Sequence, residues 1–370
     1  QEWTWGFIKP AVAVKSLSYQ LEDDRFNNNT NDSPSITVPQ ASLDMGLYFE
    51  RDGSIFGNGY TQTFEPRLFY FYSEYENHDE LFNLTTVSTG NELRSNVDFD
   101  TSEYTFSYSQ LFRDSRFSGH DRIGDDNRLS VGLTSRFIET ATGIERFSAS
   151  IGQIYYYDDR LVDLTLNSAD AALDPDNLED TSEIAMALSG RIGDYWQLSS
   201  DLIVDEDDNN KVTRGNMSLR YSDDDYRLFN ISYRYVRQAG AADKFDIDND
   251  GDTTELFDND IEQADLSFAW PISKSWSLVG RYNQDITNSR QLDTLIGVEY
   301  NDCCYKLRVI ARTWLDNALY TVVDDSLLEE DTGIFFEFQF KGLGSLGSKV
   351  STILSDSIYG YDSEQQNSNF

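Results

Sequence analysis

Residues Asp331 to Gly342 read DTGIFFEFQFKG. In an extended chain successive side chains point to opposite faces. Ile334, Phe336, Phe338 and Phe340 therefore share one face, and Glu337, Gln339 and Lys341 the other. A ribbon apolar on one side and polar on the other suits a wall between lipid and a wet lumen. Read as the last strand of such a wall, it sets the direction of every strand before it.

Composition leaves that reading open without proving it. The chain has 370 residues, a formal net charge of −36, 39% hydrophobic and 14% aromatic residues, and a mean hydropathy of −0.53. It has no uninterrupted apolar run long enough for a transmembrane helix, which needs about 18 residues or more. Barrel strands need only about 9–11 alternating residues, which hydropathy averages away. The 23 Phe could equally fill the core of an acidic soluble sandwich or propeller. Such acidity argues against nucleic acid, where phosphate binding needs clustered Lys and Arg. The chain opens QEWTWGFIKP, without a basic and then apolar leader, and is expected to be a mature piece or an internal fragment.

Counting back from Asp331, alternating segments rise and fall in turn. Trp5 to Leu21 rises, Gln40 to Arg51 descends, and a Gly-rich turn through Gly53, Gly57 and Gly59 leads to Tyr60 to Tyr72. After an insertion from Ser73 to Asn127 come Arg128 to Glu139 and Glu145 to Tyr157. Ser182 to Arg191, Tyr195 to Val204, Val212 to Tyr221, Arg227 to Arg237, Ile261 to Trp270 and Ser275 to Ile286 follow. Arg290 to Tyr300 and Cys303 to Trp314 then precede the closing strand, giving about fourteen strands. Connectors at one end are short, as at Thr140 to Gly143 and Pro271 to Lys274; those at the other are mostly long. A sandwich has no reason to sort its connectors by parity, whereas an outer-membrane barrel does. The fold class expected is an all-β antiparallel transmembrane barrel wall over residues 1–341, with a tail, 342–370, of little structure on the periplasmic side.

Aromatic residues agree with this orientation. Trp3, Trp5, Trp196, Trp270 and Trp276 fall at the short-turn ends, and Trp314 at the other rim. Amphipathic rings prefer the headgroup level, so two girdles are expected. Phe229, Ile231, Tyr233, Tyr235, Tyr305, Leu307 and Val309 are assigned to lipid. Asn230, Ser232, Arg234, Lys306, Arg308, Arg312 and Asp265 are assigned to the lumen.

Three groups could carry chemistry. Cys303 and Cys304 are adjacent at a strand start; they are either small apolar wall residues or disulfide partners, and bonding to each other would strain the ring. Asp246, Asp248, Asp250 and Asp252, in DIDNDGD, match the first half of a calcium loop, yet Phe257 stands where the closing acid should be. They would bind Ca2+ weakly at most, and a solvated acidic loop is the plainer reading. His78 and His120 lie in the insertion with no nucleophile motif nearby, so no catalytic residue is expected.

Specific strings add a resemblance. GYTQTFEPRLFYFY (Gly59 to Tyr72), YSQLFRDSRFSGHDRI (Tyr108 to Ile123), LTSRF (Leu133 to Phe137) and ERFSASIGQIYYYDD (Glu145 to Asp159) resemble the LptD family of lipopolysaccharide-assembly proteins. So do WPISKSWSLVGRY (Trp270 to Tyr282), GVEYNDCCYKLRV (Gly297 to Val309) and GIFFEFQFKGLG (Gly333 to Gly344), in the family's order. Asp331, Gly333, Phe336 and Phe338 also resemble the closing-strand signal read by the outer-membrane barrel assembly machinery.

The resemblance implies a larger barrel of about twenty-six strands, of which these would be the C-terminal portion. It implies a translocon that passes lipopolysaccharide through the lumen and sideways into the outer leaflet, with an LptE-like lipoprotein plug and a periplasmic lipopolysaccharide bridge reached through an N-terminal domain. It further implies that Cys303 and Cys304 pair with cysteines elsewhere. The lateral gate would be the strand carrying Asp331, Gly333, Phe335, Phe336, Glu337, Phe338 and Phe340, its outer edge exposed or paired with Trp5 to Leu21. A passive porin or substrate-specific channel is the alternative.

Overall fold

A computed structural model describes residues 1–20, 33, 35–55, 57–78, 83–88, 91–96, 101–164, 175–206, 210–237, 260–315, 330–342, 344–347 and 349–361. The first strands are β1 (Glu2–Trp3), β2 (Gly6–Ser18), β3 (Ser35–Leu47), β4 (Phe49–Ile55), β5 (Asn58–Ser73), β6 (Asn83–Ser88), β7 (Asn91–Asn96), β8 (Asp126–Glu139) and β9 (Glu145–Tyr156). Then come β10 (Ile184–Ile192), β11 (Trp196–Asp205), β12 (Lys211–Ser222), β13 (Leu228–Val236) and β14 (Ile261–Pro271). The last are β15 (Trp276–Asp285), β16 (Arg290–Asn301), β17 (Tyr305–Leu315), β18 (Glu330–Phe340) and β19 (Gly344–Gly347), followed by a helix, α1 (Val350–Ser357).

Among the described residues seventeen strands make one antiparallel sheet, and β6 pairs with β7 in a hairpin of its own. All fourteen segments expected from alternation are strands; β1, β4 and β19 are additions. Two boundaries move furthest. The strand expected from Gln40 begins at Ser35, with Pro39 inside it opposite Val14. The Gly-rich turn is itself strand: Phe49–Ile55 pairs with Asn58–Phe64 in unbroken register. The reversal narrows to the link between Ile55 and Asn58, where Gly57 takes a φ of +87° that only glycine adopts without strain. Short connectors also occur at the long-loop end, as between Asp285 and Arg290, where Ser289 has a φ of +53°.

The chain divides into two compact units, Gln1–Ala187 with Ile203–Lys211, and Leu188–Leu202 with Val212–Phe370. In each, one face of the strands leaves large apolar side chains open. Val131, Ile151 and Tyr155 do so in the first, and Ile231, Tyr233, Ile296 and Val298 in the second. A water-facing surface would not carry them row upon row. The opposite, inner face is covered by the chain itself.

In the first unit the covering is the segment 101–125. Leu111 is fully buried, and a Cβ at Gly152 would lie 2.6 Å from its Cδ1. A Cβ at Gly132 would lie 2.5 Å from Phe112 Cζ. These glycines are notches that let the loop lie flat on the strands. Arg67 stacks 4.1 Å from the centre of the Phe112 ring and forms a bidentate pair with Asp44 at 2.8 and 2.9 Å.

Candidate functional site: the closing strand and the tail folded against it

The expected last strand, β18, pairs along its whole length with β17, from Tyr305↔Phe340 to Leu315↔Glu330. Its faces divide as alternation requires. Ile334 and Phe336 are 77% and 56% exposed and Phe340 is half exposed, while Glu337 is buried. Aromatic rings line the short-turn end in two runs. Tyr221 meets Trp196 and Trp270 with ring centres 4.9 and 6.0 Å apart. Trp276, Tyr300, Tyr305, Phe338 and Phe340 follow at 5.0, 5.7, 5.6 and 4.7 Å.

The register brings four charges together on the inner face, because Glu299 lies opposite Arg308 and Arg308 opposite Glu337. Lys306 Nζ is 2.8 Å from Glu299 Oε2, and Arg308 Nε is 3.3 Å from the same oxygen. Arg308 Nη1 donates to Glu337 Oε2 at 2.9 Å. Lys306 and Arg308 are each 1% exposed. Two cations and two anions leave the cluster neutral, as burial demands. Beside it Arg281 joins Asp265 (2.7 Å) to Asp293 (3.0 Å), and Arg312 also reaches Asp293 (2.9 Å). The inward placement of Lys306, Arg308, Arg312 and Asp265 was legible in the alternation; Glu299 and its partners across the sheet were not.

Residues 344–347 and 349–361 correct the expectation of a tail with little structure. After Gly342 (φ +85°) the chain reverses, and β19 pairs with β18 from Glu337↔Gly347 to Phe340↔Gly344. Four residues of the closing edge, expected to be exposed or matched to Trp5 to Leu21, are therefore covered by the chain's own next segment. At Gly347 (φ +106°) a Cβ would lie 2.5 Å from Phe336 O, so glycine is required there.

The helix α1 then crosses to the inner face. Val350, Leu354 and Ile358 are buried against Leu228, Ala269, Val279, Leu295 and Ile310, with Phe335 beside them. Val350 and Leu354 share one helical face and Ile358 follows just past the helix end; the spacing 350, 354, 358 is the signal in the sequence that locates this helix. The first turn leaves backbone N–H groups without partners inside the helix. Ser351 N–H donates to Glu337 Oε2 (2.9 Å), and its hydroxyl to Oε1 (3.3 Å). Tyr361 donates to Glu299 Oε1 at 2.9 Å. Burial, and then the Glu299 carboxylate, push its phenol well above the ordinary value. Asn230 Nδ2 donates to the Tyr359 carbonyl (3.1 Å), and Arg220 lies 3.8 Å over its ring.

The structure places Asp331, Gly333, Phe335, Phe336, Glu337, Phe338 and Phe340 on β18, as read, with Phe335 and Glu337 turned inward. Cys303 and Cys304 sit in the exposed turn between β16 and β17 rather than in a strand, with sulfurs 2.8 Å apart and no disulfide within the chain. The contact with Cys304, then burial and the Asp302 carboxylate, push the Cys303 thiol up to about 11. His78 Nδ1 lies 2.7 Å from Glu76 O, and its Nε2 accepts the Ile123 N–H, while His120 is exposed. Asp246, Asp248, Asp250 and Asp252 lie outside the described residues, and among the described residues no cluster has the make-up of a metal site.

An antiparallel sheet of this strand length, apolar outside, charged within and girdled by aromatics, is the wall of an outer-membrane β-barrel. The family model LptD, described as LPS transport system D, matches residues 2–276. The LPS-assembly protein LptD of Saccharophagus degradans is 44% identical over 98% of this chain and 39% of its own length. That of Hahella chejuensis is 37% identical over 98% and 39%. The chain belongs to the LptD family and is an outer-membrane protein. It spans about two-fifths of the length of these relatives. Among solved structures, a mutant Rh. blastica porin aligns at 10% identity and a TM-score of 0.27, over 83% of this chain and 95% of its own. Nothing rests on so weak a likeness.

Proposed function

We propose that this chain forms the closing part of a lipopolysaccharide translocon, and that lipopolysaccharide leaves sideways past β18 into the outer leaflet. Family membership points to lipopolysaccharide transport. The observation that carries the lateral route is the edge of β18. One side of the strand is fully paired, and the other, among the described residues, is covered over four residues by a glycine-bounded segment. In lipid an orphaned backbone group costs several kcal/mol, so such an edge must meet another strand. A seam built on a short pairing is the one that opens most readily. A passive pore is less well supported, because the inner face of the second unit is occupied by α1.

The test is a photoreactive phenylalanine analogue at Phe335, on the inner face of β18, in a full-length family protein in cells. Adducts with lipopolysaccharide are expected. Adducts with the tail alone, while export continues, contradict the lateral route.

Cys303 and Cys304, exposed at the end of the strands, are proposed to bond to cysteines of a domain outside this chain and to fix it to the wall. An LptE-like plug and the periplasmic bridge belong to the same proposal. Replacing both cysteines by Ser is expected to lower surface lipopolysaccharide with little loss of barrel structure. Free thiols at both positions in the mature full-length protein, seen on non-reducing gels, contradict it.

A further inference from the structure

The tail takes hold of β18 from two directions at once. At the edge, β19 pairs with Glu337–Phe340, and Gly347 packs on the Phe336 carbonyl where no side chain fits. On the inner face, Ser351 and Tyr361 hold the two carboxylates that flank Arg308, while Leu354 sits on the aliphatic patch. We propose that residues 344–347 and 349–361 are a latch that sets the length of the seam: while closed, it confines pairing with a further strand to Glu330–Phe336. This deepens the lateral-exit reading and rests on it for its functional consequence, though not for its structural content.

The consequence has a definite sign. The closing strand has eleven residues, and the latch withholds four of them from any partner strand. Releasing the latch lets the partner zip further down, lengthens the hydrogen-bonded seam and slows its opening. The latch is thus a device that keeps the exit easy to open, and its loss hinders export although the wall stays folded.

Hydrogen exchange by mass spectrometry on a full-length family protein in detergent micelles tests this. Two variants release the latch from different sides: Gly347→Val blocks the edge contact, and Leu354→Asp places a charge in the aliphatic patch. In the unaltered protein the amides of 344–347 and 350–357 are expected to be protected. In either variant exchange of both segments is expected to rise roughly tenfold or more, with residues 305–315 unchanged. Exchange of 344–347 at the unprotected rate in the unaltered protein overturns the latch, as does protection that survives both variants. Surface lipopolysaccharide, scored separately, distinguishes the two claims. A latch seen by exchange with undiminished export in both variants leaves the latch standing and removes its role in lateral exit.

Discussion

The two units cover their inner faces by different chemistry. In the first, the segment 101–125 is fitted by shape, with Leu111 and Phe112 lying over Gly152 and Gly132. It is also tied to its surroundings at many points. Arg122 donates to the Asp163 carbonyl (2.6 Å), Arg128 to that of Arg113 (2.5 Å), and Asp125 accepts two backbone N–H groups from Leu161 and Val162. In the second, α1 is fitted by its apolar stripe, and its polar ties converge on Glu337 and Glu299. A covering tied at many points comes away only when the wall does. One seated on a single stripe, two carboxylates and the contacts of Asn230 and Arg220 with Tyr359 can leave while the wall remains.

The sharpest break in that comparison is Arg308→Met. It strips Glu337 of a cation and leaves Glu299 with Lys306 alone, and unpaired buried charge costs about 3–5 kcal/mol. Urea unfolding in micelles should show that loss, and adding Glu337→Gln should restore part of it. Leu354→Ala opens a cavity worth about 2–5 kcal/mol where the site cannot collapse. Trypsin should then cut after Lys349 far faster, while Arg116 and Arg122 of the first unit stay resistant. If both regions become sensitive together, the coverings are not independent.

Gly152→Ala tests the other side. The new Cβ meets Leu111 and the Val131 carbonyl at 2.6 Å, and overpacking of this kind costs about 1–3 kcal/mol. The segment 101–125 should become protease-sensitive with Lys349 unchanged. The smallest effect is that of pH. The Tyr361 phenol is raised in the docked state, so its contribution is present below the ordinary phenol value of about 10 and is lost as pH rises above it. Lys349 cleavage should rise as pH passes above about 10, and Tyr361→Phe should flatten that rise.

Much of the wall was legible because period-two alternation is enforced along every strand by lipid on one side and polar groups on the other. It placed Ile334 and Phe336 outward and Lys306 and Arg308 inward. It stopped early at Gly53 and started late at Gln40, since glycine and proline mark turns in isolation although the sheet absorbs both there. The charge cluster was half legible: a face is local information, but the meeting of Glu299, Arg308 and Glu337 depends on a register between three strands. The tail was missed because glycines and serines outweighed three aliphatic residues at helical spacing. Eight residues of helix have no stability of their own; the inner face of the wall supplies it.

The most direct test of lateral exit is a disulfide between Phe335→Cys and a cysteine placed opposite it on the first barrel strand of a full-length family protein. Phe335 lies on the part of β18 that the latch leaves available. With the seam closed quantitatively, lipopolysaccharide should stall inside the barrel and the cells should lose their outer-membrane barrier, recovering both on reduction. Unchanged export through a fully cross-linked seam would contradict the lateral route and point to an exit through the loops.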